Sequence, residues 1–139
     1  MTVKAANGQD WERLRGMGLL PEEELCRGAR TGYLLWEQEE PAGWLEYSLL
    51  WGRVPFLNHL FVREEYRGRG FATRALAHWE REMRRLGCPM VLLSTRADES
   101  AQHLYRKRGY QDCGVLLLDG TPLEQPAELF FRKVLSEEA

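Results

Sequence analysis

Cysteine is scarce in this chain: Cys26, Cys88 and Cys113 are odd in number and widely spaced, with no C-x-x-C pair. A disulfide framework and a zinc site are therefore not expected, and a reducing cytoplasm is the natural compartment. His59, His78 and His103 also lack metal-ligand spacing, so no metal is expected. No apolar run approaches the roughly 20 residues needed to cross a bilayer. The segment from Met1 onward lacks the apolar core of a signal peptide. No charge of one sign dominates: 19 basic and 21 acidic residues leave a net charge of −2. That balance provides no basic field to draw the chain to nucleic acid or an anionic membrane, and neither is an expected partner. Internal repeats, low-complexity segments and linkers are absent as well.

What remains is an ordinary globular composition, 44% hydrophobic and 29% charged over 139 residues. This length fits one domain spanning 1–139, since a second would be too small to build its own core. Residues 8–28 read as one or two short helices, with Pro21-Glu22-Glu23-Glu24 suited to a second helix start. Strands follow at 33–37, 44–51 and 54–62, and Glu39-Glu40-Pro41-Ala42-Gly43 reads as a turn between the first two. Short connections make these strands an antiparallel meander. The period then changes. Ala72, Ala75, Leu76, Trp79, Met83 and Leu86 mark one helical face, with Glu80 and Arg84 paired on the outer side. Gly87 stops that helix. A strand at 90–95, a helix from Asp98 to Arg108 and a hairpin of 115–118 with 128–135 complete the chain. The expected fold is α/β: an N-terminal meander, then strand–helix–strand–helix and a C-terminal hairpin, one mixed sheet with helices on both faces.

The feature with chemical content lies where strand 54–62 meets the long helix. Arg67-Gly68-Arg69-Gly70-Phe71-Ala72 opens that helix. A helix start exposes unpaired N–H groups and a partial positive charge, which favour an anion. Glycines let a phosphate approach the backbone, and Arg67 and Arg69 supply neutralising charge. The spacing is neither the G-x-G-x-x-G of a dinucleotide fold nor the G-x-x-x-x-G-K-[ST] of a nucleotide triphosphatase. Alone, the loop is equally a tight turn with solvated arginines.

Two patterns in register carry it further. Leu60-Phe61-Val62, four residues, then Arg67-Gly68-Arg69-Gly70-Phe71-Ala72 resembles the strand-to-helix motif of the GNAT superfamily of acyl-CoA-dependent N-acyltransferases. The run from Asp98 through Ala101, Leu104-Tyr105 and Lys107 to Gly109-Tyr110 resembles a second motif of that family at its usual separation. The resemblance covers roughly the middle third of the chain. It implies that the N–H groups of residues 67–73 hold the coenzyme A pyrophosphate, with Thr73 adding a hydroxyl. Leu60, Phe61 and Val62 would pair their main chain with the pantetheine arm along an open strand edge. Asp98 stands where the family usually has Asn; a carboxylate only accepts, so Asp98 is either a pantetheine ligand or a helix cap.

The resemblance also implies direct acetyl transfer from acetyl-CoA to a primary amine of a small molecule or peptide. Tyr105 matches the family's leaving-group acid, its phenol being protonated at neutral pH. Its alternative is a core position, on one helical face with Ala101 and Leu104. The base is open between Glu46, whose partial burial would make it a better proton acceptor, and water relayed through Asn58 or main-chain carbonyls. Leu93-Ser94-Thr95-Arg96 does not match the strand typical of the branch that acetylates protein N-termini. Trp79 is expected in the core; Trp44 and Trp51 are candidates for an acceptor pocket, with core packing as the default. One of Arg106, Lys107 and Arg108 is a candidate for the coenzyme's 3′-phosphate. An acyl-CoA-binding sensor without turnover is the alternative to an enzyme, and a homodimer through exposed strands or the C-terminal hairpin is the candidate assembly.

Overall fold

The structure is a computed structural model that describes residues 1–20 and 30–135. The second helix expected at Pro21, and Cys26, lie outside the described residues. The elements run β1 (Thr2–Ala5), α1 (Gly8–Gly16), β2 (Gly32–Glu37), β3 (Glu40–Leu50), β4 (Val54–Val62), a 3-10 turn (Glu64–Tyr66), α2 (Phe71–Arg85), β5 (Met90–Arg96), α3 (Ala101–Lys107), β6 (Gln111–Leu116) and β7 (Glu128–Val134). The strands form a seven-stranded mixed sheet in the order β1-β2-β3-β4-β5-β7-β6. This is the mixed α/β architecture that the period changes imply. The chain divides into two compact units, one of Met1–Ser48 with Asn58–Leu76 and one of Leu49–Leu57 with Ala77–Ala139. Strand β4 and helix α2 each contribute residues to both.

In the first unit, α1 starts at a capping box. Asn7 Oδ1 accepts from the Asp10 N–H at 2.9 Å, and Asp10 Oδ2 accepts from the Asn7 N–H at 3.0 Å. The helix buries Trp11 and Leu14 with Leu20, Leu34 and Trp44, and Phe61 packs on this cluster. Strand β1 is an antiparallel edge partner of β2. Its four residues are mostly exposed and carry no alternation, so the sequence holds no signal for it.

The turn expected at 39–43 is displaced. It falls at Gln38, whose φ is 57°, and β3 already begins at Glu40. Pro41, Ala42 and Gly43 therefore lie inside the strand. The β2–β3 register shifts between Leu35 and Trp36, which face Gly43 and Pro41, so Ala42 is the extra residue of a bulge. A bulge is where a strand accommodates a proline without an N–H to donate. Gly43 is in the strand for another reason: a Cβ there would collide with the Phe61 carbonyl of the neighbouring strand.

In the second unit, Trp51 and Gly52 make the β3–β4 turn, with φ of 56° and 68°. Two consecutive positive φ values match the twist of a two-residue hairpin, which moves Trp51 out of the expected strand and leaves it 80% exposed. Strand β4 pairs in parallel with β5 at Phe56↔Leu92 and Leu57↔Leu93. The C-terminal hairpin forms as expected, but its second strand, β7, pairs with both β5 and β6. Its first strand starts earlier than expected, at Gln111, and Leu117 and Leu118 fall beyond it.

Helix α2 ends in a Schellman closure, the Gly87 N–H on Arg84 O at 3.0 Å and the Cys88 N–H on Met83 O at 2.9 Å. Two expectations for α2 need correction. Leu86 lies past the helix and is exposed. Glu80 is not on the outer side with Arg84: it is 4% exposed and accepts from the Tyr110 hydroxyl and Lys133 Nζ. Three- and four-residue spacing locates a face but not its width, and partners distant in sequence widened the buried one to include a carboxylate. Trp79 is fully buried, as expected. No helix among the described residues is long and apolar enough to cross a membrane.

Candidate active site

The first intrahelical bond of α2 runs from the Arg74 N–H to Gly70 O at 3.1 Å. The N–H groups of Phe71, Ala72 and Thr73 precede it, which leaves them without helical partners. Around them, Val62, Tyr66, Arg67, Gly68, Gly70, Phe71, Ala72 and Thr73 line a cavity of about 200 Å³. Gly68 and Gly70 hold φ of 76° and 80°, in the left-handed region, and a Cβ on either would project into open space. Helical donors, two glycines in the conformation that bends the loop and a concave wall together fit a pyrophosphate group.

The two arginines are placed differently. Arg67 lines the cavity, donates from Nε to Val62 O at 2.8 Å and lies over the Phe61 ring. The Arg69 guanidinium lies over the Tyr66 and Phe71 rings and pairs with Glu37 at 3.6 Å. It is not among the residues lining the cavity. Tyr66 and Glu37 are contributors that the sequence analysis missed. Tyr66 stacks on Phe71 with ring centroids 5.8 Å apart. An aromatic immediately before the motif was the available signal for Tyr66, whereas nothing in sequence links Glu37 to Arg69.

Leu60, Phe61 and Val62 close β4, with Phe61 stacked on Trp44 at 4.6 Å. That contact puts Trp44 in the core, the default for it. His59 also contacts Trp44, so it shares the Phe61 face. The parallel ladder of β4 ends at Leu57↔Leu93.

Tyr105 is buried on α3, with 8% exposure, its ring against Tyr110 at 5.9 Å and Phe131 at 6.2 Å. Burial, and secondarily the Glu99 carboxylate, push its phenol up to about 12. The proton is therefore held throughout the neutral range, and the hydroxyl is not hydrogen-bonded to another described residue. Helix α3 ends in its own Schellman closure around Gly109, whose φ is 92°. The Tyr110 N–H bonds to Tyr105 O at 3.0 Å and the Gly109 N–H to Arg106 O at 3.1 Å. That motif usually brings together the two side chains that Tyr105 and Tyr110 supply here. The spacing of Tyr105, Gly109 and Tyr110 thus has a local mechanical reason.

Asp98 does not cap α3. The N-cap position is Ser100, without a side-chain cap bond, and both Asp98 oxygens accept from Arg96, at 3.1 and 3.0 Å. A bidentate guanidinium two residues away outcompetes a helix end. Of the three basic residues at the end of α3, Arg106 is bidentate to Asp112 and Arg108 sits 3.8 Å from Glu80. Glu46 is half-buried on β3, and its Oε2 accepts from Arg30 Nη1 at 2.7 Å. Ser48 and Asn58 bond to each other at 3.1 Å. No cluster of three metal-ligating side chains occurs among the described residues.

No curated protein sequence matches the chain significantly. Among solved structures, it is similar to the ribosomal-protein-S18-alanine N-acetyltransferase of Escherichia coli, with a TM-score of 0.74 and 15% identity, covering 99% of this chain and 96% of that one. It is similar to an aminoglycoside 6′-N-acetyltransferase complexed with coenzyme A, with a TM-score of 0.75 and 16% identity over 100% and 99% of the two chains. A nourseothricin acetyltransferase is comparable, with a TM-score of 0.74 and 18% identity over 97% and 98%. At such identities these likenesses speak to the fold. Residues 5–110 match the Acetyltransferase (GNAT) family itself. The chain belongs to that family: it is an acyl-CoA-dependent N-acetyltransferase whose cosubstrate is acetyl-CoA.

Proposed function

We propose that this enzyme transfers the acetyl group directly to a primary amine of a small molecule or peptide, with Tyr105 as the acid for the departing thiolate. The observation that carries the proposal is the buried Tyr105 phenol, held protonated and free of hydrogen bonds to other described residues. The free amine attacks the thioester carbonyl, the C–N bond forms and the C–S bond breaks. Tyr105 gives its proton to the sulfur as negative charge develops there. The ammonium proton leaves to Glu46 or to water relayed through Asn58 or main-chain carbonyls. The Glu46–Arg30 pair favours the relay, because one Glu46 oxygen already has a partner.

On the donor side, the N–H groups of residues 67–73 and the Thr73 hydroxyl hold the pyrophosphate. The main chain of Leu60, Phe61 and Val62 takes the pantetheine arm. Asp98, engaged by Arg96, contributes only as an acceptor. Arg67 meets the phosphates directly, while Arg69 acts from its ring platform. The acceptor class is supported by fold relatives named for a ribosomal-protein alanine, an aminoglycoside and nourseothricin. The enzyme works in the cytoplasm without nucleic acid or membrane, and a homodimer forms through exposed strands or the C-terminal hairpin.

Thiol release from acetyl-CoA with a panel of small-molecule and peptide amines tests the reading. Turnover with at least one primary amine is expected. Coenzyme A binding without turnover on any amine would instead mark a sensor. Tyr105→Phe should lower kcat by about 100-fold or more while the acetyl-CoA KM stays within about twofold. Unaltered turnover in that variant removes Tyr105 from the mechanism.

A further inference from the structure

Glu80 presents a buried carboxylate that the acetyl-transfer chemistry does not use. It is 4% exposed, on the part of α2 that belongs to the second unit. Its Oε2 accepts from the Tyr110 hydroxyl at 2.9 Å, and its Oε1 accepts from Lys133 Nζ at 2.8 Å, with Arg108 Nη2 at 3.8 Å. Lys133 Nζ also lies 5.5 Å from the Tyr110 ring centroid. A carboxylate removed from water costs several kcal/mol unless paired and hydrogen-bonded, and an apolar residue of similar size would fill the space as stably. The arrangement is therefore expensive for packing alone. What it does specify is the position of Tyr110, fixed at both ends: the hydroxyl by Glu80, the backbone N–H by Tyr105 O.

We propose that Glu80 is a positioning residue for Tyr105, acting through Tyr110: anchoring the Tyr110 hydroxyl fixes the ring that, with Phe131, sets the orientation of the Tyr105 phenol. The inference rests on the reading of Tyr105 as the leaving-group acid. A proton donor must meet the sulfur within hydrogen-bond reach, so a small displacement of the ring slows transfer without altering how coenzyme A binds. The Tyr105 ring has two aromatic neighbours among the described residues. Phe131 is fixed by the sheet, whereas Tyr110 follows the helix terminus and needs the Glu80 bond to hold its far end. Lys133 and Arg108 supply the positive charge that keeps the carboxylate in place, so they belong to the anchor and not to the chemistry.

The test is a double-mutant cycle on the full chain, read as kcat and acetyl-CoA KM at a temperature where circular dichroism shows every variant folded. Tyr110→Phe removes only the hydroxyl, and Glu80→Gln keeps the shape and one acceptor oxygen. Tyr110→Phe should lower kcat by about 3- to 30-fold with KM within about twofold. Glu80→Gln, which still accepts from Tyr110, should lose less. In a Tyr105→Phe background neither change should lower kcat further, because the group being positioned is gone. Wild-type kcat in Tyr110→Phe, or losses that multiply with that of Tyr105→Phe, would overturn the positioning role and leave Tyr105 as the acid. Wild-type turnover in Tyr105→Phe alone would overturn the acid reading and the positioning role with it. Should Tyr110→Phe fail to fold, Glu80→Gln carries the same cycle, and a multiplicative loss there counts equally against the proposal.

Discussion

At the scale of single residues, burial governs Tyr105, and the Glu99 carboxylate adds to it in raising the phenol to about 12 from its ordinary value near 10. A folded-state pKa above the unfolded one means that the native protein holds this proton more tightly. The associated stability is complete below pH ~10 and is lost as pH rises through ~12. Tyr110 shifts upward as well, through burial first and then the Glu80 carboxylate. A spectrophotometric titration should therefore show part of the tyrosinate absorbance withheld until pH ~12 or until the chain unfolds. Tyr105→Phe should reduce that withheld fraction. Complete ionisation near pH 10 in the folded protein would mean that the phenol is hydrated, and a hydrated phenol is not the one described. With Tyr105 as the proposed acid, loss of its proton should not limit turnover at any pH below ~10.

At the scale of elements, β3 and β4 approach backbone to backbone at Gly43. A Cβ at Gly43 would run into the Phe61 carbonyl, and backbone cannot rotate away as a side chain can. Gly43→Ala should cost about 1–3 kcal/mol, seen as a lowered melting temperature, with weaker coenzyme A binding because Phe61 and Val62 shift with the strand. An unchanged melting temperature would show that β3 and β4 are not in this register. This position also marks where sequence reading stops. Strand β4 was legible as an apolar run after Gly52, and helix α2 from a 3.6 period that extends over many residues. Pro41-Ala42-Gly43 reads locally as a turn, and only the bulge against Leu35 and Trp36 makes it a strand. Strand β1 is short and mostly exposed, so tertiary pairing alone defines it. The site divides in the same way. Arg67 to Thr73 is contiguous, and its chemistry follows from the order of residues. Glu37 with Arg69 and Glu80 with Tyr110 join positions about 30 apart, which no local pattern encodes. Asp98 failed as a cap because Arg96, two residues earlier, is a stronger partner than a helix end.

At the scale of the whole molecule, two compact units share strand β4 and helix α2. Elements common to both cannot unfold in one unit and persist in the other, so the chain should melt in a single transition. Leu34→Ala in the first unit and Leu93→Ala in the second, both fully buried, should each cost about 2–5 kcal/mol and lower that one transition. Two resolved transitions in either variant would show independent folding. The proposed function turns on the donor being held where β4 gives way to α2, at glycines that leave the backbone open. Calorimetric titration of coenzyme A into the wild type and Gly70→Ala examines this directly. A methyl group there projects into open space at a φ of 80°, so the variant should fold with a penalty of about 1–2 kcal/mol. The expected result is an affinity at least about tenfold weaker in folded Gly70→Ala than in the wild type. Equal affinities in the two proteins would contradict the placement of the pyrophosphate at this helix start.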